Sequence, residues 1–270
     1  MIQRICDTDI SYEILGQGLA VINLHGYGID HCSMKASLEP LFAGRKGFQR
    51  IYFDLPGMGR SGTNPHILSS DDMLEVVMQF IDHLLLPDQP FLLTGLSYGG
   101  YLARGVLHRM KHRVLGLLLI CPVIGFRRKN RQLPDFRLWE RDEALLSQLT
   151  PNEFVTIDQF LTIQTKPVWE RFNQEINPSL ALPDSGLMAR IMDTEFSFEL
   201  DTPESPFDNP TLILLGRYDV AVGYKDAWKI YDNFSDATLV VLGRSGHCLQ
   251  MEQQDLFENH VRAWLDQISI

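Results

Sequence analysis

Gly95-Leu96-Ser97-Tyr98-Gly99 follows the apolar run Phe91-Leu92-Leu93-Thr94 and leads into a stretch, Gly99–Met110, whose apolar spacing predicts a helix. A strand that passes directly into a helix must turn sharply. The serine at the turn is then held in a strained backbone conformation at the strand's C-terminal end. Glycines at 95 and 99, with Gly100 beyond, remove the side chains that would collide where strand and helix nearly touch. A turn of this kind implies an α/β architecture and presents Ser97 as a nucleophile.

The rest of the chain repeats the alternation of short β-rich runs with longer helical patterns, the signature of βαβ units in a mostly parallel sheet. Strands are expected at Ile10–Leu15, Ala20–Leu24, Arg50–Phe53, Phe91–Thr94, Val114–Ile120, Thr211–Leu215 and Thr238–Leu242. Several are apolar throughout, as strands buried on both faces should be. Asp71–Leu86 has helical spacing behind Ser69-Ser70-Asp71-Asp72, which offers N-cap oxygens, and Leu256–Ile268 reads similarly. Residues 125–206 depart from the pattern, being rich in charge, Pro and aromatics without clear sheet strands. They read as a helical cap inserted after the sixth core strand, with residues 1–124 and 207–270 forming one core domain.

A chain of 270 residues fits one α/β domain with an insertion. Its net charge of -10 opposes phosphate backbones and anionic lipid, so neither nucleic acid nor a membrane is an expected partner. Met1-Ile2-Gln3-Arg4-Ile5-Cys6-Asp7 lacks the apolar run of a signal peptide, and stretches such as Val114–Cys121 are too short to span a bilayer. A cytoplasmic protein is expected. Cys6, Cys32, Cys121 and Cys248 are scattered without metal-ligand spacing and suit reduced thiols. Cys248 could sense oxidation beside a candidate histidine, although packing is its plainer role.

A serine hydroxyl needs a base, an acid to orient that base, and donors for the oxyanion that develops on attack. Asp219, in the turn Gly216-Arg217-Tyr218-Asp219, follows one expected strand. His247, in Gly243-Arg244-Ser245-Gly246-His247, follows the next. Both sit just past a strand's C-terminal end, where ligand sites of open α/β sheets collect, and the order serine, acid, histidine suits this architecture. Taken singly, each is an ordinary loop residue; their joint order and placement favour catalysis. The Tyr98 backbone N–H, at the start of the nucleophile's helix, is one expected oxyanion donor, and the Tyr27 N–H in His25-Gly26-Tyr27-Gly28 is the other. Gly26 is expected against the substrate. His25 closes a strand before glycine and reads as a structural histidine, not a second base.

Together, His25-Gly26-Tyr27-Gly28, Asp54-Leu55-Pro56-Gly57-Met58-Gly59-Arg60-Ser61, the Ser97 turn, Gly216-Arg217-Tyr218-Asp219 and Gly246-His247 resemble the α/β-hydrolase superfamily along nearly the whole chain. That resemblance implies a mostly parallel central sheet flanked by helices, a mobile helical cap over a Ser–His–Asp site, and no metal or organic cofactor. The Asp54–Ser61 stretch looks like the family's loop after the fourth core strand, a Gly/Pro turn packed under the site, so Asp54 is not taken as catalytic. Relatives that are haloalkane dehalogenases or epoxide hydrolases carry aspartate where this chain has Ser97. Others place the acid after the sixth strand, but Cys121-Pro122-Val123-Ile124-Gly125 has no carboxylate, which returns that role to Asp219.

The expected cap offers Phe136, Trp139, Phe154, Phe160, Trp169, Phe172, Phe196 and Phe198, with Trp139 and Trp169 the named candidates for substrate contact. If some of these face the cleft, an apolar or aromatic acyl or leaving group fits. Arg127-Arg128-Lys129-Asn130-Arg131 could capture a substrate carboxylate, but most charge runs are simply solvated surface. The leading expectation is hydrolysis of an ester-like bond in a small molecule through an acyl-enzyme on Ser97. The same residues could cleave a carbon–carbon bond or an amide, transfer an acyl group or perform perhydrolysis. A ligand-binding module with negligible turnover would have no physical need for all of them.

Overall fold

The computed structural model describes residues 1–192 and 194–268. Residue 193 of the expected cap and residues 269–270 of the expected core lie outside the described residues. Eight strands form one sheet: β1 (Ile2–Ile5), β2 (Thr8–Gly16), β3 (Leu19–Leu24), β4 (Phe48–Phe53), β5 (Phe91–Leu96), β6 (Val114–Ile120), and, after a short pair β7 (Glu140–Arg141) and β8 (Ile163–Gln164) that stands apart, β9 (Thr211–Gly216) and β10 (Ala237–Leu242). The spatial order is β1-β2-β4-β3-β5-β6-β9-β10. Only β1–β2 and β2–β4 are antiparallel. All six residues of β5 and of β9 are buried, which explains why each is apolar apart from one threonine and one glycine.

Every expected strand is present, and β1 is an addition. It forms a hairpin with β2 across Cys6 and Asp7, both at positive φ (44° and 59°), a backbone that usually advertises itself by Asn-Gly.

The helices α1 (Cys32–Phe42), α2 (Ser70–Leu84), α3 (Tyr98–Met110), α8 (Leu249–Glu252) and α9 (Gln254–Leu265) belong to the core sequence. Within residues 125–206 lie α4 (Glu143–Leu146), α5 (Pro151–Phe160), α6 (Lys166–Glu175) and α7 (Ser185–Met192). The Ser69 hydroxyl caps α2 by accepting from the Asp72 amide. That helix ends two residues earlier than its periodicity suggests, because Pro87 disfavours helical backbone at Leu86 before it. Among the described residues, the segment 125–206 contributes no strand to the eight-stranded sheet, but it is not purely helical, since β7 and β8 pair in parallel.

Adjacent parallel strands place their C-terminal ends at one edge. Leu96 of β5 lies beside Ile120 of β6, Ile120 beside Leu214 of β9, and Gly216 of β9 beside Leu242 of β10. Ser97, Asp219 and His247 each leave the sheet at that edge.

Candidate active site

Ser97 stands between β5 and α3 with φ 55° and ψ −115°, a backbone that costs a non-glycine residue about 1–3 kcal/mol. Its neighbours hold it there. The Ser97 amide donates to the Ile120 carbonyl at 2.9 Å, and its carbonyl accepts from the amides of Gly100, Tyr101 and Val123. A Cβ on Gly99 would stand 2.2 Å from the Leu24 carbonyl oxygen, and one on Gly95 2.4 Å from that of Gly99. Both flanking glycines are therefore required by close approach of backbone to backbone.

The Asp219 carboxylate is fully buried and has both oxygens engaged. Oδ1 accepts from the amides of Ala221 and Val222 at 2.8 and 3.0 Å, and Oδ2 lies 2.7 Å from His247 Nδ1. Burial alone would raise this carboxyl. The His247 charge and hydrogen bond, with the two loop amides, outweigh it and hold Asp219 below the ordinary carboxylate value. His247 is the reciprocal case: burial would lower it, while the Asp219 charge and hydrogen bond raise it above the ordinary imidazole value. With Nδ1 committed to Asp219, Nε2 is the ring nitrogen left to act as a base.

His25 is also fully buried, but its environment is different. The Leu55 amide donates to Nε2 at 2.9 Å, which puts the ring proton on Nδ1, and Nδ1 donates to the Gly26 carbonyl at 2.8 Å. Burial pushes its pKa down despite nearby Asp54, so the neutral ring acts as a bracket for the loop after β3. Asp54 is likewise committed, accepting from the His31 amide and ring and from the Arg60 amide. The bracketed loop abuts Ser97: a Cβ on Gly26 would stand 3.4 Å from Ser97 Cβ. The Tyr27 ring meets Tyr98 edge-on at 6.1 Å and its hydroxyl donates to the Met188 carbonyl in α7. Tyr98 is the first residue of α3, and amides in a helix's first turn have no intrahelical acceptor.

A cavity of about 210 Å³ opens beside His247, walled by Phe136 and Phe160 of the inserted segment, by Thr162 and Arg128, and by Tyr218 and Ala221 from the Asp219 loop. Trp139 and Trp169 do not line it. Trp169 is buried and stacks on Phe172 at 5.8 Å within the hydrophobic core, while Trp139 packs edge-on against Tyr218 beneath the Arg137 guanidinium. Bulk marks a residue for a core as readily as for a pocket, and here the core claims the larger rings.

Two residues near the histidine were missed from sequence. Glu252 is a buried carboxylate bonded to the amides of Gly246, Thr162 and Ile163, betrayed only by a charge within the otherwise buried turn Leu249–Glu252. Cys121, directly after β6, brings its thiol to the Asp219–His247 pair, with sulfur, carboxylate oxygen and ring nitrogen all within 4.8 Å of one another. Among the described residues, no helix is long and apolar enough to cross a membrane.

The sequence is 25% identical over 265 residues to a pimeloyl-[acyl-carrier protein] methyl ester esterase of Shewanella woodyi, covering 96% of this chain and 98% of that one. It is 23% identical to a monoacylglycerol lipase of Bos taurus, over 88% of this chain and 72% of that protein. The fold superposes on an α/β superfamily hydrolase from Oenococcus oeni with a TM-score of 0.89 and 29% identity, covering 99% and 98% of the two chains. The family model for the alpha/beta hydrolase fold matches residues 20–254, from β3 to the start of α9, and the chain belongs to that family.

Proposed function

We propose that this hydrolase cleaves carboxylic esters of small, partly apolar molecules through an acyl-enzyme on Ser97. The observation that carries the proposal is the 2.7 Å bond from His247 Nδ1 to a fully buried Asp219, which fixes the tautomer a general base needs. In this reading His247 Nε2 takes the Ser97 proton as the hydroxyl attacks the ester carbonyl. The amides of Tyr27 and Tyr98 receive the oxyanion, each worth about 10²–10³-fold in turnover. The tetrahedral adduct collapses, His247 protonates the departing alcohol, and a water activated by the same ring frees the acid. Residues 125–206 act as the cap, with Phe136 and Phe160 providing apolar wall.

Both curated relatives named above act on esters, which favours ester hydrolysis over carbon–carbon, amide or acyl-transfer chemistry. The test is Ser97→Ala against a panel of p-nitrophenyl esters and a fluorophosphonate probe. Loss of turnover and labelling together is expected; a variant that still turns over esters at the native rate would refute the assignment.

A further inference from the structure

Arg127, Arg128, Lys129 and Arg131 place four cations within five positions of a chain whose net charge is -10. The fold treats the four differently. Arg131 is committed to structure, donating from Nε, Nη1 and Nη2 to the carbonyls of Gly125, Ala221 and Phe126. Arg127 stands 3.7 Å from Glu195. Arg128 engages the protein through one hydrogen bond, to the Val220 carbonyl at 3.2 Å, and among the described residues Lys129 has no hydrogen-bonding or ionic partner.

These side chains, with Phe126 and Met192, line a cavity of about 580 Å³ whose wall holds no acidic residue among the described residues. Arg128 also lines the cavity containing His247, so its side chain is shared between the two. The direction of the chemistry then selects which part of a substrate meets it. His247 protonates the leaving oxygen, so the alcohol portion of an ester lies along the His247 wall and continues toward Arg128. The protein's overall field repels anions, but at contact distance a local pair of cations outweighs remote charges, which salt screens beyond about 8 Å.

We propose that Arg128 and Lys129 form an anion subsite for the alcohol portion of the substrate, making the preferred substrates esters whose alcohol carries a carboxylate or a phosphate. The inference rests on the ester-hydrolase reading above. Guanidinium is suited to either group, because its planar donors match carboxylate and phosphate oxygens in pairs.

The experiment compares 4-acetoxybenzoate and 4-acetoxyphenyl phosphate with neutral 4-acetoxybenzamide, using the native protein and the variants Arg128→Gln and Lys129→Gln. The native enzyme should favour an anionic ester over the neutral one in kcat/KM. Each variant should reduce that ratio about fivefold, the worth of one partly exposed ion pair, and about 0.5 M salt should reduce it in the native protein. Whichever anion shows the larger ratio identifies the natural group. Calorimetric titration with 4-hydroxybenzoate and phenyl phosphate reads the same subsite without turnover, and binding should weaken about fivefold in Lys129→Gln, which breaks no contact within the fold. Native ratios near one, or anion binding equal in native and variant protein, would overturn the subsite while leaving the hydrolase reading intact. Inertness of every ester, with anion binding that the variants weaken, would instead overturn the hydrolase reading and keep the subsite.

Discussion

Glu252 Oε2 accepts a 2.6 Å hydrogen bond from the amide of Gly246, the residue immediately before His247. The other carboxylate oxygen accepts from the Thr162 amide at 2.5 Å, the Thr162 hydroxyl at 2.9 Å and the Ile163 amide at 3.2 Å. One buried carboxylate thus ties the histidine's loop to β8 of the inserted segment. Glu252→Gln must turn an amide NH₂ toward one of these N–H donors, so the two ends can no longer be held together. Turnover of neutral esters should fall by about 10²-fold, the scale of an ångström-sized misplacement of a catalytic group. Steady-state kcat at the native level in a folded variant would separate this contact from catalysis.

In the proposed mechanism the Asp219–His247 pair sets the pH dependence. The base must be neutral to accept the Ser97 proton, and the histidine's pKa lies above the ordinary imidazole value despite burial, because Asp219 stabilises its protonated form. The acid limb of kcat/KM should therefore fall above about 6.5. Asp219→Asn removes the charge and its preference for the correct tautomer. The limb should move to lower pH while kcat drops by about 10⁴-fold, as loss of the acid does in comparable triads. A pH–rate profile of the variant that overlays the native one would exclude Asp219 from the role.

How much of this was legible in sequence depended on whether a local rule governed the residue. Ser97, Asp219 and His247 could be named as candidates because the chemistry asks for those residue types just past strand ends, and strands announce themselves by apolar runs. Strand β1 escaped because Cys6-Asp7 adopts a backbone usually signalled by Asn-Gly. Glu252 escaped because its partners lie 90 residues away at Thr162, a distance no periodicity reports. Trp169 shows the converse: its size suggested a pocket, and only packing reveals that its ring stacks on Phe172. The arginine run carried too little sequence context to be divided into structural Arg131 and available Arg128.

His25 should carry a distinct signature in stability. Burial lowers its folded pKa below the unfolded value of about 6.5. Below that pH the unfolded chain takes up a proton that the folded ring refuses, so its stabilising contribution is present above about 6.5 and lost as the pH falls. His25→Phe should cost about 1–3 kcal/mol at neutral pH, because the buried Leu55 amide loses its acceptor. The gap between native and variant protein should then narrow on acidification. Urea denaturation across this range checks both statements; His31 and His247, whose pKa values shift the other way, are common to the two proteins and cancel in the difference. A gap that stays constant or widens would place a charged ring at this position.

The thiol beside the Asp219–His247 pair raises the question of a second nucleophile, and its electrostatics argue against one. Reactivity belongs to the thiolate. Burial pushes the Cys121 thiol well above its ordinary value, and the Asp219 charge pushes it in the same direction. Cys248 is raised by burial and then by Glu252 and Asp219, which weakens its candidacy as an oxidation sensor. Even Cys32, exposed at the start of α1, is pushed up to about 11 by desolvation and by Asp30. All three therefore remain protonated at neutral pH. Iodoacetamide should leave ester turnover intact under conditions where a fluorophosphonate abolishes it. Stoichiometric inactivation by the alkylating agent, prevented in Cys121→Ala, would instead move the nucleophile from the end of β5 to the end of β6.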